Sequence, residues 1–226
     1  WIKNNGYSKF VDDSISLKYL FNISIPILLT TSMFHVMNWT DTIILGYYSS
    51  SHYIGIYNIC LKISMSSSII LFSVNSIAAP KFSELYSSRK FIEFKNIVRL
   101  SSKIIFWLST PILLIIAYKA DFLLSIFGLD FKDGKLALYI LLFGQFINVL
   151  CGSVGYILMM TNKEKILRNI IIISALLNLA LNILLIPMYG ILGAAIATTI
   201  SVIVWNISSL IYVYKEHGFI TINIIK

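Results

Sequence analysis

Charge is scarce in this chain. Asp, Glu, Lys and Arg make up only 12% of its 226 residues, about half the share usual in a soluble domain. Hydrophobic residues make up 58%, and the mean hydropathy is +0.83. A water-soluble fold has nowhere to hide so much apolar surface, so a soluble domain is excluded. Cysteine is scarcer still. Cys60 and Cys151 both fall inside apolar stretches, which rules out a disulfide framework or cysteine metal site and leaves two small packing residues. The histidines, His35, His52 and His217, are scattered, and the chain holds no HExxH, GxSxG or P-loop motif and no paired acids. Hydrolytic and nucleotide-driven enzyme classes therefore lack their signatures, and no cofactor box is indicated.

What the chain has in abundance is long apolar runs, at 17–46, 53–79, 104–117, 136–160, 169–187 and 191–214. Most approach or exceed the roughly 20 residues that cross a bilayer as a helix. The third reaches that length, as 99–118, if Arg99 and Lys103 snorkel to the surface. The fold expected is an all-α integral membrane bundle of six transmembrane helices. The net charge of +8 invites a nucleic-acid reading, but its placement argues against one. With 1–16 on the cytoplasmic side, only Lys119, Lys132 and Lys135 among the basic residues fall outside, and Lys62 lies within a span. That asymmetry orients a membrane protein and meets anionic headgroups. It places 1–16 and the tail 215–226 in the cytoplasm. The polar opening, starting at Trp1, is read as a linker within a longer protein.

Residues 81–97 place Phe82, Leu85, Phe91, Phe94 and Ile97 at near-helical spacing among basic residues. This fits an interfacial helix on the inner leaflet or, equally, a charged extension of the next span. Pro26 and Pro111 predict bends, and Pro80 is read as the end of the second span. Pro187 and Gly190 mark a tight outer turn. Gly193, Ala194, Ala197 and Ser201 form a small-residue face that admits a neighbouring helix closely, and Gly152 and Gly155 are placed to do the same.

Asp41 is the one carboxylate between Ile25 and Tyr48, and an acid at membrane depth is costly enough to imply a task. On the second span Asn58, Lys62, Ser66, Ser73 and Ser76 fall within an arc of about 80°. Such a stripe lines a cavity or meets another polar helix, although the serines can also bond their own backbone carbonyls. Ser174, Asn178 and Asn182 share one face of the fifth span, as helix-joining amides or as oxygens for a cation. At a rise of about 1.5 Å per residue, Asp41 lies about 10 Å from the outer end, Lys62 about 15, Asn178 about 14, Asn182 about 8 and Thr198 about 12. Two arrangements follow: a buried Asp41–Lys62 ion pair, which spacing alone favours, or an oxygen-lined cation site.

Several stretches match a family pattern: NWTDTIILGYYSSSHYIGIYNICLKIS (38–64), IAAPKFSELY (77–86), LLSIFGLDFKDG (123–134), GYILMMTNKEK (155–165) and LNILLIPMYGILGAAIATTIS (181–201). Together they resemble the C-terminal half of bacterial polysaccharide flippases, the O-antigen-repeat transporters of the multidrug/oligosaccharidyl-lipid/polysaccharide exporter superfamily. The resemblance implies one lobe of a two-lobed MATE-like transporter in the bacterial inner membrane, its N-terminal lobe lying outside this chain. It implies a lipid-linked oligosaccharide on undecaprenyl pyrophosphate as cargo, carried by alternating access, with Lys62, Asn58 and Lys103 as substrate contacts. The related lipid II flippases are similar, and their sodium site maps here onto Asp41, Asn178, Asn182, Ala194 and Thr198. Asn182 stands where that pattern has an acid, so the coupling ion is Na⁺ or H⁺. With the resemblance the cation site stands level with the ion pair. A drug exporter of the same superfamily is the alternative cargo reading. A membrane-embedded polysaccharide enzyme would need a larger outer loop than 118–135.

Overall fold

The computed structural model describes residues 17–221. The linker read at 1–16 and the end of the tail, 222–226, lie outside the described residues. The described chain is all helix apart from turns: α1 (Leu17–Tyr48), α2 (Ser51–Met65), α3 (Ser68–Ser87), α4 (Phe91–Tyr118), α5 (Ala120–Ser125), a 3-10 turn at Leu129–Gly134, α6 (Lys135–Cys151), α7 (Val154–Met160), α8 (Glu164–Tyr189) and α9 (Ile191–His217). Four helical stretches among the described residues are long and apolar enough to cross a bilayer: α4, the 3-10 turn with α6, α8 and α9. The α2–α3 pair, bent by 42°, makes a fifth. At 32 residues, α1 has a length of about 48 Å.

Burial is arranged for lipid. Apolar side chains such as Leu114, Ile115, Trp107, Leu176 and Leu184 are exposed on the rim, while Asp41, Asn75, Asn178, Asn182 and Asn206 are buried. With no water in the hydrocarbon region, polar groups must find partners inside the bundle. Many of the serines do so locally: Ser64, Ser66, Ser73 and Ser76 each donate to a carbonyl three or four residues back.

The apolar interior has two clusters. One, around Leu45, Ile56, Leu113, Leu124, Leu138 and Ile186, fills the end where α1 finishes. The other, around Phe82, Leu85, Phe94, Val98, Ile157 and Val213, fills the opposite end.

Several boundaries differ from those read in the sequence. The second span is not one helix over 53–79, and it does not stop at Pro80. The exposed Pro80 sits inside α3, which continues to Ser87. The single interfacial helix at 81–97 is not formed. Its first half ends α3 and its second half begins α4, with Arg89 in the left-handed region (φ 55°) between them. The apolar face is real, but Phe82, Leu85, Phe94 and Val98 bury it against one another across this hairpin, which removes more apolar surface from water than lying flat would. The third span thus starts at Phe91 rather than 99. The stretch 136–160 is also broken, at Gly152, where φ is 67°. A Cβ there would lie 2.6 Å from Ser102 Oγ and 2.9 Å from its Cβ, so both backbone and space require glycine. At its C-terminal end α8 runs through Pro187, and the turn reduces to Gly190 at φ 54°.

The small-residue face of α9 does what its composition predicts. Gly193, Ala194, Ala197 and Ser201 are all buried. A Cβ on Gly193 would run into the carbonyl of Leu185 on α8. This close hairpin positions the next feature.

Candidate coupling site around Asp41

Asp41 is 1% exposed. It lies one turn inward from Leu45, as Asn182 does from Ile186 and Thr198 from Ala194, so the three helices deliver their polar groups to one level beneath the apolar cluster at the end where α1 finishes. Asn182 Nδ2 donates to Asp41 Oδ1 at 2.5 Å, and Thr198 Oγ1 donates to Oδ2 at 2.5 Å. The Tyr57 hydroxyl also donates to Oδ2, at 2.6 Å, and stands 3.0 Å from Thr198 Oγ1. Asn182 Nδ2 is shared with Asn178 Oδ1 at 3.1 Å. Four helices, α1, α2, α8 and α9, therefore meet on one carboxylate.

The sequence-level set divides. Asp41, Asn178, Asn182 and Thr198 come together. Ala194 is fully buried one turn from Thr198, and its amide donates to the Gly190 carbonyl at 3.2 Å; it makes no bond to the carboxylate. Asn58 belongs to a separate pair, accepting from Thr42 at 3.4 Å and donating to the Ile54 carbonyl at 3.0 Å. Lys103 is half-buried, Lys62 is exposed, and neither forms a salt bridge among the described residues.

The Asp41–Lys62 ion pair favoured by spacing is thus overturned. Depth supplies only one coordinate. Around the axis of α2, Lys62 lies about 140° from Tyr57, and it is Tyr57 that faces Asp41. Tyr57 was missed as a ligand although it sits in the Gly-Ile-Tyr run at 55–57. A tyrosine in an apolar span needs a partner for its hydroxyl, and its depth of about 8 Å nearly matches that of Asp41. Replacing it by Phe removes one donor and is expected to lower stability by about 1 kcal/mol. Thermal unfolding of the full-length protein in detergent measures this.

The set is one carboxylate met by neutral hydroxyl and amide groups. Among the described residues no three His, Cys, Asp or Glu side chains gather as a transition-metal site would require. Asp41 is surrounded by hydroxyls and amides. Asn182 Oδ1 and Asn178 Nδ2 are buried without partners. Turning the Asn182 amide over presents an oxygen in place of an NH₂, which suits a protonated Asp41 or a bound cation.

A cavity of about 120 Å³ reaches Asp41 and Thr198, with Asn38, Ser68, Gln145 and Asn148 on its walls. Phe34, Met37, Met65, Val202 and Trp205 make up the apolar part of the wall, and the polar side chains among them give water hydrogen-bond partners. Phe34, Asn148 and Trp205 also border a second cavity of about 290 Å³, which extends between α1 and α7 past Ile27, Tyr156 and Met159.

Curated relatives align over nearly the whole chain. The capsular polysaccharide biosynthesis protein CapF of Staphylococcus aureus is 28% identical over 94% of this chain and 52% of its own length. The probable low-salt glycan biosynthesis flippase Agl15 of Haloferax volcanii is 24% identical over 90% of this chain and 43% of its own. The probable flippase AglR of the same organism is 26% identical over 75% of this chain and 36% of its own. The chain spans about half the length, or less, of these relatives. No solved structure matches. The model of the MatE family matches residues 26–184, which holds Asp41, Tyr57, Asn178 and Asn182. On that match, with an all-helical bundle of apolar helices behind it, the chain is a multi-pass membrane protein and belongs to the MatE family.

Proposed function

We propose that this chain forms one lobe of a membrane flippase that moves a lipid-linked oligosaccharide for surface polysaccharide assembly, and that the Asp41 cluster couples that movement to H⁺ or Na⁺. One observation carries the reading. A buried carboxylate ties four helices together through neutral donors. A group so placed changes helix packing when its charge changes, which is what alternating access demands. The relatives' names support the same class of cargo. In this reading the described helices make six spans, α2–α3 and α6–α7 each counting as one. Both chain ends face the cytoplasm, and a second lobe completes the protein in the inner membrane.

Charging or neutralising Asp41 alters what Tyr57, Thr198 and Asn182 can donate to. A proton on Asp41 turns one accepted bond into a donated one, and the Asn182 amide reverses to receive it. A sodium ion in the same place uses the carboxylate, Thr198 Oγ1 and the amide oxygens of Asn182 and Asn178. Either event biases how α8 and α9 sit against α1. Lys62 and Asn58 lie on the less buried side of α2, the side that faces a cargo cavity between lobes, and Lys103 completes the basic lining near the inner end.

The test is flipping by the full-length protein in vesicles that carry a fluorescent lipid-linked oligosaccharide. Flipping is expected to depend on a Na⁺ or H⁺ gradient. Lys62→Ala is expected to reduce the rate about tenfold, as loss of one anion contact does, without changing the melting temperature, because Lys62 is exposed. Extrusion of organic cations with no oligosaccharide flipping would assign the protein to drug export instead.

A further inference from the structure

A third, larger cavity lies at the opposite end of the bundle from Asp41. It encloses about 630 Å³ between the end of α3, the start of α4 and the end of α9. Along α9, His217 is 19 residues beyond Thr198, about 28 Å away, so this cavity is separate from the coupling site.

Its chemistry is basic and aromatic. Lys95 and Arg99 line it one turn apart on α4, and Tyr86, Phe91, Phe94 and Phe219 form much of the wall. Arg99 Nε and His217 Nε2 are buried without a hydrogen-bond partner among the described residues. Lys95 Nζ stands 6.0 Å from the Phe219 ring centroid. The one acid on the wall, Glu216, is held by Lys163 at 2.7 Å, so its charge is balanced from outside the cavity. A half-buried guanidinium with no carboxylate beside it among the described residues is free to take an anion. Its fork fits phosphate oxygens in particular.

The surroundings select the kind of phosphate. On the adjoining flank of α4, starting one turn beyond Asn96 on the cavity wall, Leu100, Ile104 and Trp107 are exposed in succession, an apolar lane along the bundle's rim that lies round the helix from Lys95 and Arg99. Aromatic walls beside basic groups are the composition of the membrane–water interface. A free phosphate would leave those walls and that lane uncovered, whereas an amphiphile covers both.

We propose that this cavity binds the phosphate of an anionic phospholipid, with Arg99 and Lys95 holding the phosphate and an acyl chain lying along Leu100, Ile104 and Trp107. The inference rests on the chain being embedded in a membrane, and it is independent of the flippase reading.

The experiment titrates full-length protein in uncharged detergent with dihexanoyl phosphatidylglycerol, dihexanoyl phosphatidylcholine and inorganic phosphate, and follows binding by thermophoresis. The glycerol lipid is expected to bind at least about tenfold more tightly than the choline lipid or inorganic phosphate. The double variant Arg99→Gln/Lys95→Gln is expected to lose about tenfold or more of that affinity. The single variant Lys95→Gln, which leaves Arg99 in place, is expected to lose severalfold; it serves if the double variant fails to fold, which its melting temperature reveals. Equal affinity for the two lipids, or affinity unchanged in the variants, overturns the site. Inorganic phosphate binding as tightly as the glycerol lipid, with the same loss in the variants, overturns the lipid assignment and gives the site to free phosphate.

Discussion

Asp41→Asn in the full-length protein is expected to abolish the ion dependence of transport while leaving the fold intact. The rate under a gradient should fall between about 5- and 150-fold, the range spanned by a coupling energy of about 1–3 kcal/mol. The new side chain has nearly the shape of the old one. It still accepts from Tyr57 and Thr198 through its own Oδ1. The Asn182 amide can turn to offer its oxygen to the new NH₂, and the Asn178 amide can turn with it, which leaves the Asn182 NH₂ where an unpartnered oxygen now sits. What disappears is the group that takes up a proton or attracts a cation. Asp41→Leu makes the contrast. Its shape is acceptable, but three buried donors lose the carboxylate; Asn182 keeps Asn178 Oδ1 and the Tyr57 and Thr198 hydroxyls keep each other, which leaves one hydroxyl hydrogen unpaired at about 1–3 kcal/mol. Relief from burying a charge offsets part of that cost, so Leu should be the less stable of the two and equally inactive. The measurements are gradient-driven flipping across a range of pH and sodium concentrations, and melting temperature in detergent. Ion dependence that persists in Asp41→Asn would remove Asp41 from the coupling role.

Gly193→Val is expected to be the most damaging substitution away from any charged group. Even a single Cβ at 193 meets backbone, the Leu185 carbonyl and the Ile186 amide nitrogen. Backbone cannot swing aside as a side chain does, so α8 and α9 must separate. Overpacking of a side chain costs about 1–3 kcal/mol; this contact should reach the top of that range or pass it. The effect also travels to the coupling site, because Asn178 and Asn182 ride on α8 and Thr198 on α9. Gly155→Ala is the control. Its added Cβ would lie 3.7 Å from the Trp205 ring, an ordinary contact, and stability should change by no more than about 0.5 kcal/mol. Comparable melting temperatures for Gly193→Val and the parent protein would refute the close-hairpin account.

Much of the architecture was legible in the chain, for reasons that are local. Apolar run length reports helices that cross lipid, and the small-residue face on α9 reports a close neighbour without naming it. The breaks were harder to read. Gly152 looked like a packing residue, yet its left-handed φ and its contact with Ser102 depend on how α4 lies against α6. The segment 81–97 was amphipathic as read, but whether its apolar face met lipid or another helix depended on the turn at Arg89.

The amino-acid sequence by itself determined that this protein is a membrane-embedded helical bundle, that Asp41 is its anomalous buried acid, and that Asn178, Asn182 and Thr198 share its depth. Hydropathy and a fixed rise per residue are measured along the membrane normal, and that one dimension is all they report. Only the tertiary structure decided which residues face Asp41. The rotation of each helix is set by how its small and large side chains interlock with its neighbours, and that rotation turned Tyr57 inward and Lys62 outward on the same helix.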